Sequence, residues 1–514
     1  MSTAPAHLAT KHPRGRRRGP ASRRASGEAG GGEARSRNWA LAAILGVVVF
    51  AADLACPSGM TADSKRAVTV AASMVHFHSI GLDHYRPLPN GTFAITVVHG
   101  HYYPYFPWAV SLFAVPWVVG YDILHRLGVG EGTLAMIRSA HDWPLQVVSM
   151  SAVVAVTSVV LFFVAMRLLR LPSLARRRRW ALAVALAFAF ASPAWSTASR
   201  SMWQHGPSML CLSLALLFAL RALDGKTGWA GMGAALAAGY AVRPTDSIEL
   251  GVLLVWVLIA HRRYLVNAVA GAIPPMAVFL AVNDIAYGSL LPPYYSGGSN
   301  FSVSHTMLVA LAGNLVSPAR GLLIFCPLVV LSAAGLYIKW RKGELDWFWR
   351  ALAVIPVLHW IVISAFKHWW GGDSFGPRFF SDLMPVFVVL AMPAVEALAE
   401  RTAAGVRSRR TRVAGRRQHP RGAGWRRHPA FASLVAVALC WSFLVNAQGA
   451  ILRSAWCWNN EPTDVDAHPS KVWSWSDAQF DRGIRRLIWG PDRSSELIRD
   501  GVDEIGCPSE PVRP

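Results

Sequence analysis

The sequence predicts an all-α polytopic membrane protein with about eleven transmembrane helices and juxtamembrane helices on the outer surface. Three observations carry that expectation. Of 514 residues, 53 % are hydrophobic and only 16 % charged, where about 25 % is usual in a soluble chain. The apolar residues gather in runs long enough to cross a bilayer as helix, which needs roughly 17–25 residues. The net charge of +22 is concentrated in connecting segments, at Lys11 to Arg37, Arg176–Arg179 and Arg401 to Arg427. Cytoplasmic loops carry such clusters and thereby fix topology. The composition excludes a disordered chain, and the placement of the charge argues against nucleic acid as a partner.

The candidate spans, in order, are 39–57, 144–166, 180–198, 207–223, 228–242, 247–260, 265–283, 321–338, 347–366, 383–400 and 430–450. One further apolar stretch, Trp108 to Leu124, affects the count. If it spans, Arg176–Arg179 falls on the outer side and every later loop inverts. If it does not, the inner segments 1–38, 167–179, 221–227, 261–264, 339–343 and 401–429 hold 32 of the 51 Lys and Arg. The charge bias therefore places Trp108 to Leu124 at the outer interface, where the preceding His101-Tyr102-Tyr103-Pro104-Tyr105-Phe106-Pro107 also belongs, because Tyr prefers the headgroup level. The short candidates 228–242 and 247–260 have an alternative reading as a re-entrant hairpin, which leaves nine spans and the same parity.

Residues 1–38 read as a disordered, basic cytoplasmic tail, and the first helix as an uncleaved anchor. Residues 39–450 form the membrane domain, with 58–142 as the first extracytoplasmic loop, and 451–514 form a small extracytoplasmic segment. Cys457 and Cys507 in that segment are candidates for a disulfide, with Cys56 as a rival partner. Trp456, Trp458, Trp473 and Trp475 read as interfacial anchors, and Asp464-Val465-Asp466 as decorative.

No Gly-rich phosphate loop or zinc spacing occurs in the inner loops; the unusual polar residues are on the outer side. After Thr61-Ala62-Asp63-Ser64-Lys65-Arg66, apolar residues at Ala67, Val68, Ala71, Met74 and Val75 predict an amphipathic helix. Asp63 at its start is either a helix cap or a catalytic acid, and Asp53, inside the first span near the interface, is a competitor. Four further clusters follow: His99 to Trp108; Trp203-Gln204-His205-Gly206-Pro207 with Arg243-Pro244-Thr245-Asp246; Ser317-Pro318-Ala319-Arg320-Gly321; and Lys367-His368-Trp369-Trp370-Gly371-Gly372-Asp373-Ser374-Phe375-Gly376-Pro377-Arg378. Outer loops are normally poor in Lys and Arg, so Arg320 and Arg378 need a reason. The planar guanidinium suits a phosphate ligand bidentately.

Together these segments resemble the GT-C superfamily of integral-membrane glycosyltransferases, which includes protein O-mannosyltransferases and aminoarabinose transferases. The resemblance covers about residues 39–450 and rests on the order and common side of the early acid Asp63 and the strings WQHGP, RPTD, SPARG and WWGGDSFGPR. It implies an inverting sugar transfer from a polyprenyl-phosphate donor to an acceptor hydroxyl, on the extracytoplasmic face of a bacterial plasma membrane. Asp63 is then the general base. Arg320, Arg378, His205, Arg243 and Lys367 are the donor-phosphate ligands, and Asp83, His84, His101, Tyr102, Trp369, Trp370 and Asp373 are candidates for acceptor or sugar contacts. The acidic pair common in the family is absent, since Ser64 follows Asp63. Without Asp-x-Asp in that loop, no cofactor and no metal is predicted, though a divalent ion stays open. The expected partners are the donor, membrane lipids and a glycan, lipid or protein acceptor. The competing class is a transporter or flippase of a lipid-linked sugar or other anion, which would place charges near mid-membrane in matching halves.

Overall fold

The computed structural model describes residues 20–59, 63–88, 93–225, 227–296, 301, 303, 305–413 and 429–489. The chain is mostly helical, 73 %, and divides into a short unit, Met1–Ile44, and a large one, Leu45–Pro514.

In chain order the helices are α1 (Pro20–Leu54), α2 (Ala67–Phe77), α3 (Val115–Arg126), α4 (Thr133–Arg138), α5 (Trp143–Leu168), α6 (Leu174–Phe190), α7 (His205–Leu223), α8 (Trp229–Val242), α9 (Ser247–Ala260), α10 (Leu265–Tyr287), α11 (His305–Val316), α12 (Leu322–Phe325), α13 (Val330–Arg341), α14 (Trp347–Ser364), α15 (Met384–Val413), α16 (Pro429–Ile451), α17 (Arg453–Cys457) and α18 (Gln479–Trp489). One antiparallel hairpin, β1 (Ile95–Val98) with β2 (His101–Pro104), pairs Val98 with His101 at its turn.

Among the described residues, seven helices are long and apolar enough to cross a membrane: Glu33–Leu54, Trp143–Leu168, His205–Leu223, Arg262–Tyr287, Trp347–Ser364, Arg378–Ala403 and Ala430–Ile451. The other four candidate stretches fold as shorter or interrupted helices. α6 ends at Phe190, ahead of Pro193; α8 and α9 have 14 residues each; and Pro327 separates α12 from α13. Proline removes a backbone donor and clashes with the preceding turn. The tail expected to be disordered is helical from Pro20 onward, since proline suits a first turn and Ala, Arg and Glu favour helix; residues 1–19 lie outside the described residues.

Glycine lets the helices approach closely. A Cβ on Gly233 of α8 would lie 1.8 Å from the Ala268 carbonyl oxygen of α10, and one on Gly271 would lie 1.9 Å from that of Ala230. Any side chain at either position forces the pair apart, the usual small-residue logic of membrane helices.

Trp108 to Leu124 is not one continuous helix. It is a 3-10 turn, Trp108–Phe113, followed by the 12 residues of α3, about 18 Å of helix against a hydrocarbon core of about 30 Å. The loops on its side of the bundle (after α1, between α6 and α7, between α8 and α9, after α10 and between α14 and α15) converge around one cavity. At the opposite end Arg167 pairs with Asp224, the Arg170 amide donates to Glu396, and Arg176 Nη2 donates to the Ala399 carbonyl at 2.7 Å.

The C-terminal segment folds onto the cavity end. Trp456 and Trp458, expected as interfacial anchors, are instead fully buried. Their indole N–H groups donate to the carbonyls of Gly449 (2.6 Å) and Asp477 (2.8 Å), as buried indoles require. Cys457 is disulfide-bonded and Cys56 is free; Cys507 lies outside the described residues.

Candidate functional site

The cavity at the loop end encloses about 710 Å³. Asp63, Arg243, His205, Asp373 and Arg378 line it, so five of the sequence-predicted residues meet although they come from four separate segments. The rest of the wall is largely aromatic: Tyr105, Phe106, Trp108, Trp203, Tyr294, Tyr295, Phe301, Phe366 and Phe379.

Asp63 does not cap α2. The residue at the helix N-cap is Arg66, with no side-chain cap bond. The Asp63 carboxylate instead accepts from Arg378 Nη1 at 3.0 Å. Asp63 remains partly exposed to the cavity, while Arg378 is buried against the Trp203 ring, 4.2 Å from its centroid. Cation–π contact of this kind holds a guanidinium in place without using its donors. Arg378 Nε is buried without a hydrogen-bond partner.

The second arginine is held by a residue that the sequence reading missed. Asp382 is fully buried. It accepts from His205 Nδ1 through one oxygen and lies 2.6 Å from Arg243 Nε through the other. Arg243 Nη1 lies 3.4 Å from His205 Nε2, so His205 acts as the neutral Nδ1–H tautomer, with Nε2 free to accept. Arg243 also donates to Thr245 Oγ1 at 2.6 Å. The available signal was the acid four residues after Arg378, one helical turn on, just before an apolar span.

Asp53, the rival base, is buried away from the cavity. Arg200, likewise buried, donates to the Cys56 and Asp53 carbonyls and lies 3.8 Å from the Asp53 carboxylate.

Several other sequence-level candidates stand elsewhere. Arg320 does not reach the cavity wall. Its five N–H groups are taken by the carbonyls of Ala319, Trp370 and Gly372 and by Gln479 Oε1 and Asn459 Oδ1, so no donor remains for a phosphate. Lys367 is exposed on the loop surface and is not among the lining residues. Asp83, His84, His101 and Tyr102 build the hairpin region instead. Asp83 accepts from His101 Nδ1 at 3.0 Å and from the Tyr102 amide at 3.2 Å and pairs with Arg86. His84 stacks on Phe77 at 3.9 Å, and the Arg86 guanidinium covers the Tyr102 ring at 3.4 Å. Burial works against the charge of Asp83, but these hydrogen bonds outweigh it and hold the carboxyl below its usual range.

Trp369 and Trp370 are buried with Trp458, Val465 and Val472. Their place on the wall is taken by Asp466, read in the sequence as decorative: it accepts from Trp370 Nε1 at 2.7 Å and lines the cavity beside Gly372 and Asp373. Burial, then the nearby charges of Asp466 and Asp464, push the Asp373 carboxyl up to about 6 against the pull of Arg320 and Arg378. Near neutrality Asp373 is therefore close to the point where it changes from hydrogen-bond acceptor to donor. Among the described residues no group of three or more His, Cys, Asp or Glu is arranged to hold a metal ion.

The cavity thus combines a carboxylate in contact with an arginine, a second arginine on a buried acid, and a long aromatic wall. It can bind a monoanionic head with an apolar tail and present a base to it. Comparison with family models, curated proteins and solved structures finds no match for the chain.

Proposed function

We propose that the protein is a polyprenyl-phosphate-dependent glycosyltransferase of the GT-C type, acting on the extracytoplasmic face of a bacterial plasma membrane. The observation that carries this reading is the contact between Asp63 and Arg378 on the wall of one partly apolar cavity. A base and a phosphate ligand then lie within the span of a single sugar phosphate.

In this reading the donor phosphate binds Arg378 and Arg243, and the lipid lies along the aromatic wall. Phosphate entry competes with Asp63 for the guanidinium and frees the carboxylate. Asp63 removes the proton of the acceptor hydroxyl as its oxygen attacks the anomeric carbon. The bond from that carbon to the phosphate oxygen breaks with inversion, and the departing phosphate keeps the electron pair, stabilised by the two arginines. His205 Nε2, oriented by Asp382, adds a polar contact. Asp373 and Asp466 face the sugar or acceptor.

Eleven crossings fit the same reading: α1, α5, α6, α7, α8, α9, α10, α12 with α13, α14, α15 and α16. Support comes from the connections, whose basic members meet at one end and whose site-bearing members meet at the other. The amino terminus is then cytoplasmic and the C-terminal segment extracytoplasmic, with α2 and α3 as juxtamembrane helices. Glu131→Cys is expected to react with an impermeant thiol reagent from outside intact cells. Labelling only after permeabilisation would reverse the topology.

A transport reading is favoured by one observation. Glu249 is buried in the bundle with neither carboxylate oxygen hydrogen-bonded and His359 Nδ1 3.7 Å from one of them, and buried intramembrane charges mark ion pathways.

The deciding experiment is mass spectrometry of lipids copurifying with the protein. A polyprenyl-phosphate sugar is expected with the native chain, about 10-fold or more depleted in Arg378→Ala, where a charge-assisted contact of about 1.5–3 kcal/mol is lost. Arg378→Lys should retain part of it. Equal lipid in all three would remove Arg378 from the phosphate site.

A further inference from the structure

We infer that α18 is an interfacial helix, seated in the bilayer surface beside α16 with its apolar stripe turned toward lipid. The partner is the bilayer itself.

The helix is amphipathic in the reverse of the usual sense. Ile484, Leu487 and Ile488 recur at the spacing of one helical face, yet this face points outward: Leu487 is 74 % and Ile488 64 % exposed, while Phe480 before them is half-buried against the core. The polar face is turned inward. Gln479 is buried, with Nε2 donating to the Ser374 carbonyl at 2.8 Å, and Arg482 is buried with Nη1 on Asp477 at 2.9 Å. Gly483 sits against Leu452, where a Cβ would come within 2.8 Å of Leu452 Cδ1. A soluble segment folded onto a protein would present the opposite faces.

Continuity says what covers the stripe. Phe480 packs on Trp441 of α16 with ring centroids 5.6 Å apart, and Trp475, itself exposed, lies 6.4 Å from Phe480. Only 17 % of the apolar window of α16 is buried within the protein, so that helix presents most of its surface to lipid. The α18 stripe extends this lipid-facing surface past the end of α16, with exposed tryptophans at the level where they favour the interface.

Charge is not the source of the attraction. Arg482 pairs with Asp477 and Glu461, Arg485 with Asp481 and Arg486 with Glu461. The basic residues are neutralised within the segment, so apolar burial is the driving force and anionic lipid is not required. The seating matters for the cavity, because the same segment carries Asp466 to its wall.

The test uses the full chain in phosphatidylcholine nanodiscs, with Cys56, Cys211, Cys326 and Cys440 replaced by alanine. Spin labels are placed at Leu487→Cys or Ile488→Cys, with the exposed Ala467→Cys as the aqueous reference. Labels at 487 and 488 should collide with oxygen several-fold more often than with a water-soluble nickel complex, and the label at 467 should show the reverse. Preference for nickel at 487 and 488 would overturn the proposal. Protection from both relaxants would also overturn it, since it marks burial against protein, a second copy included. None of these outcomes depends on the proposed transfer reaction.

Discussion

Asp63→Asn is expected to reduce sugar transfer by about 10²–10⁴-fold, the usual contribution of a positioned general base. Asparagine keeps the shape of the side chain and can still accept from Arg378 Nη1 through its amide oxygen, so the cavity wall should persist. Proton removal is lost, because the amide is not basic. The native ion pair is partly exposed to the cavity, where such pairs contribute at most about 1 kcal/mol to stability, so the thermal transition should barely move. Donor lipid should be retained or enriched, since Arg378 no longer has a carboxylate to leave. The measurements are single-turnover transfer from a labelled polyprenyl-phosphate sugar and quantitation of copurified lipid. Full transfer would remove Asp63 from the chemistry. Transfer lost together with lipid would mean that the substitution had damaged the site as a whole.

Arg320→Ala is expected to have the largest effect on the fold. The side chain sits between the 369–376 loop and the C-terminal segment and donates to Trp370, Gly372, Asn459 and Gln479. Its removal leaves several buried acceptors without donors, each at a cost of about 1–3 kcal/mol. Lysine cannot restore the arrangement, because an ammonium has three donors and no planar fork. Both variants should release the segment from Arg453 onward to limited proteolysis under conditions where the native chain resists. Arg378→Ala should stay resistant while losing lipid. A protease-resistant Arg320→Ala that loses lipid would return Arg320 to the role of phosphate ligand.

The contrast between these two arginines shows how far residue pattern reaches. Both occur in loops that read from the sequence as outer and so should be poor in basic residues, and the pattern offers the same reason for each. Arg378 meets Asp63 across 315 positions of chain; Arg320 meets backbone carbonyls and amides. Composition cannot separate an arginine that satisfies the fold from one that faces a ligand, because both need a buried guanidinium. Asp382 escaped notice and Asp466 reads as decorative for the opposite reason. An acid at a span end or in a short tail motif says nothing by itself, and its meaning depends on the side chains of Arg243 and His205 or on the indole of Trp370.

The sequence by itself determined that this is a helical chain with several runs apolar enough to cross a membrane, and that its unusual polar residues gather in a few loops. These properties are local: helix length, apolar runs and clustered charge act within a few tens of residues. Only the tertiary structure decided which of thirteen candidate residues share a cavity, which acid holds which base, and that the tail forms part of the wall. Those contacts join segments from about a hundred to more than three hundred residues apart, beyond the reach of any local pattern.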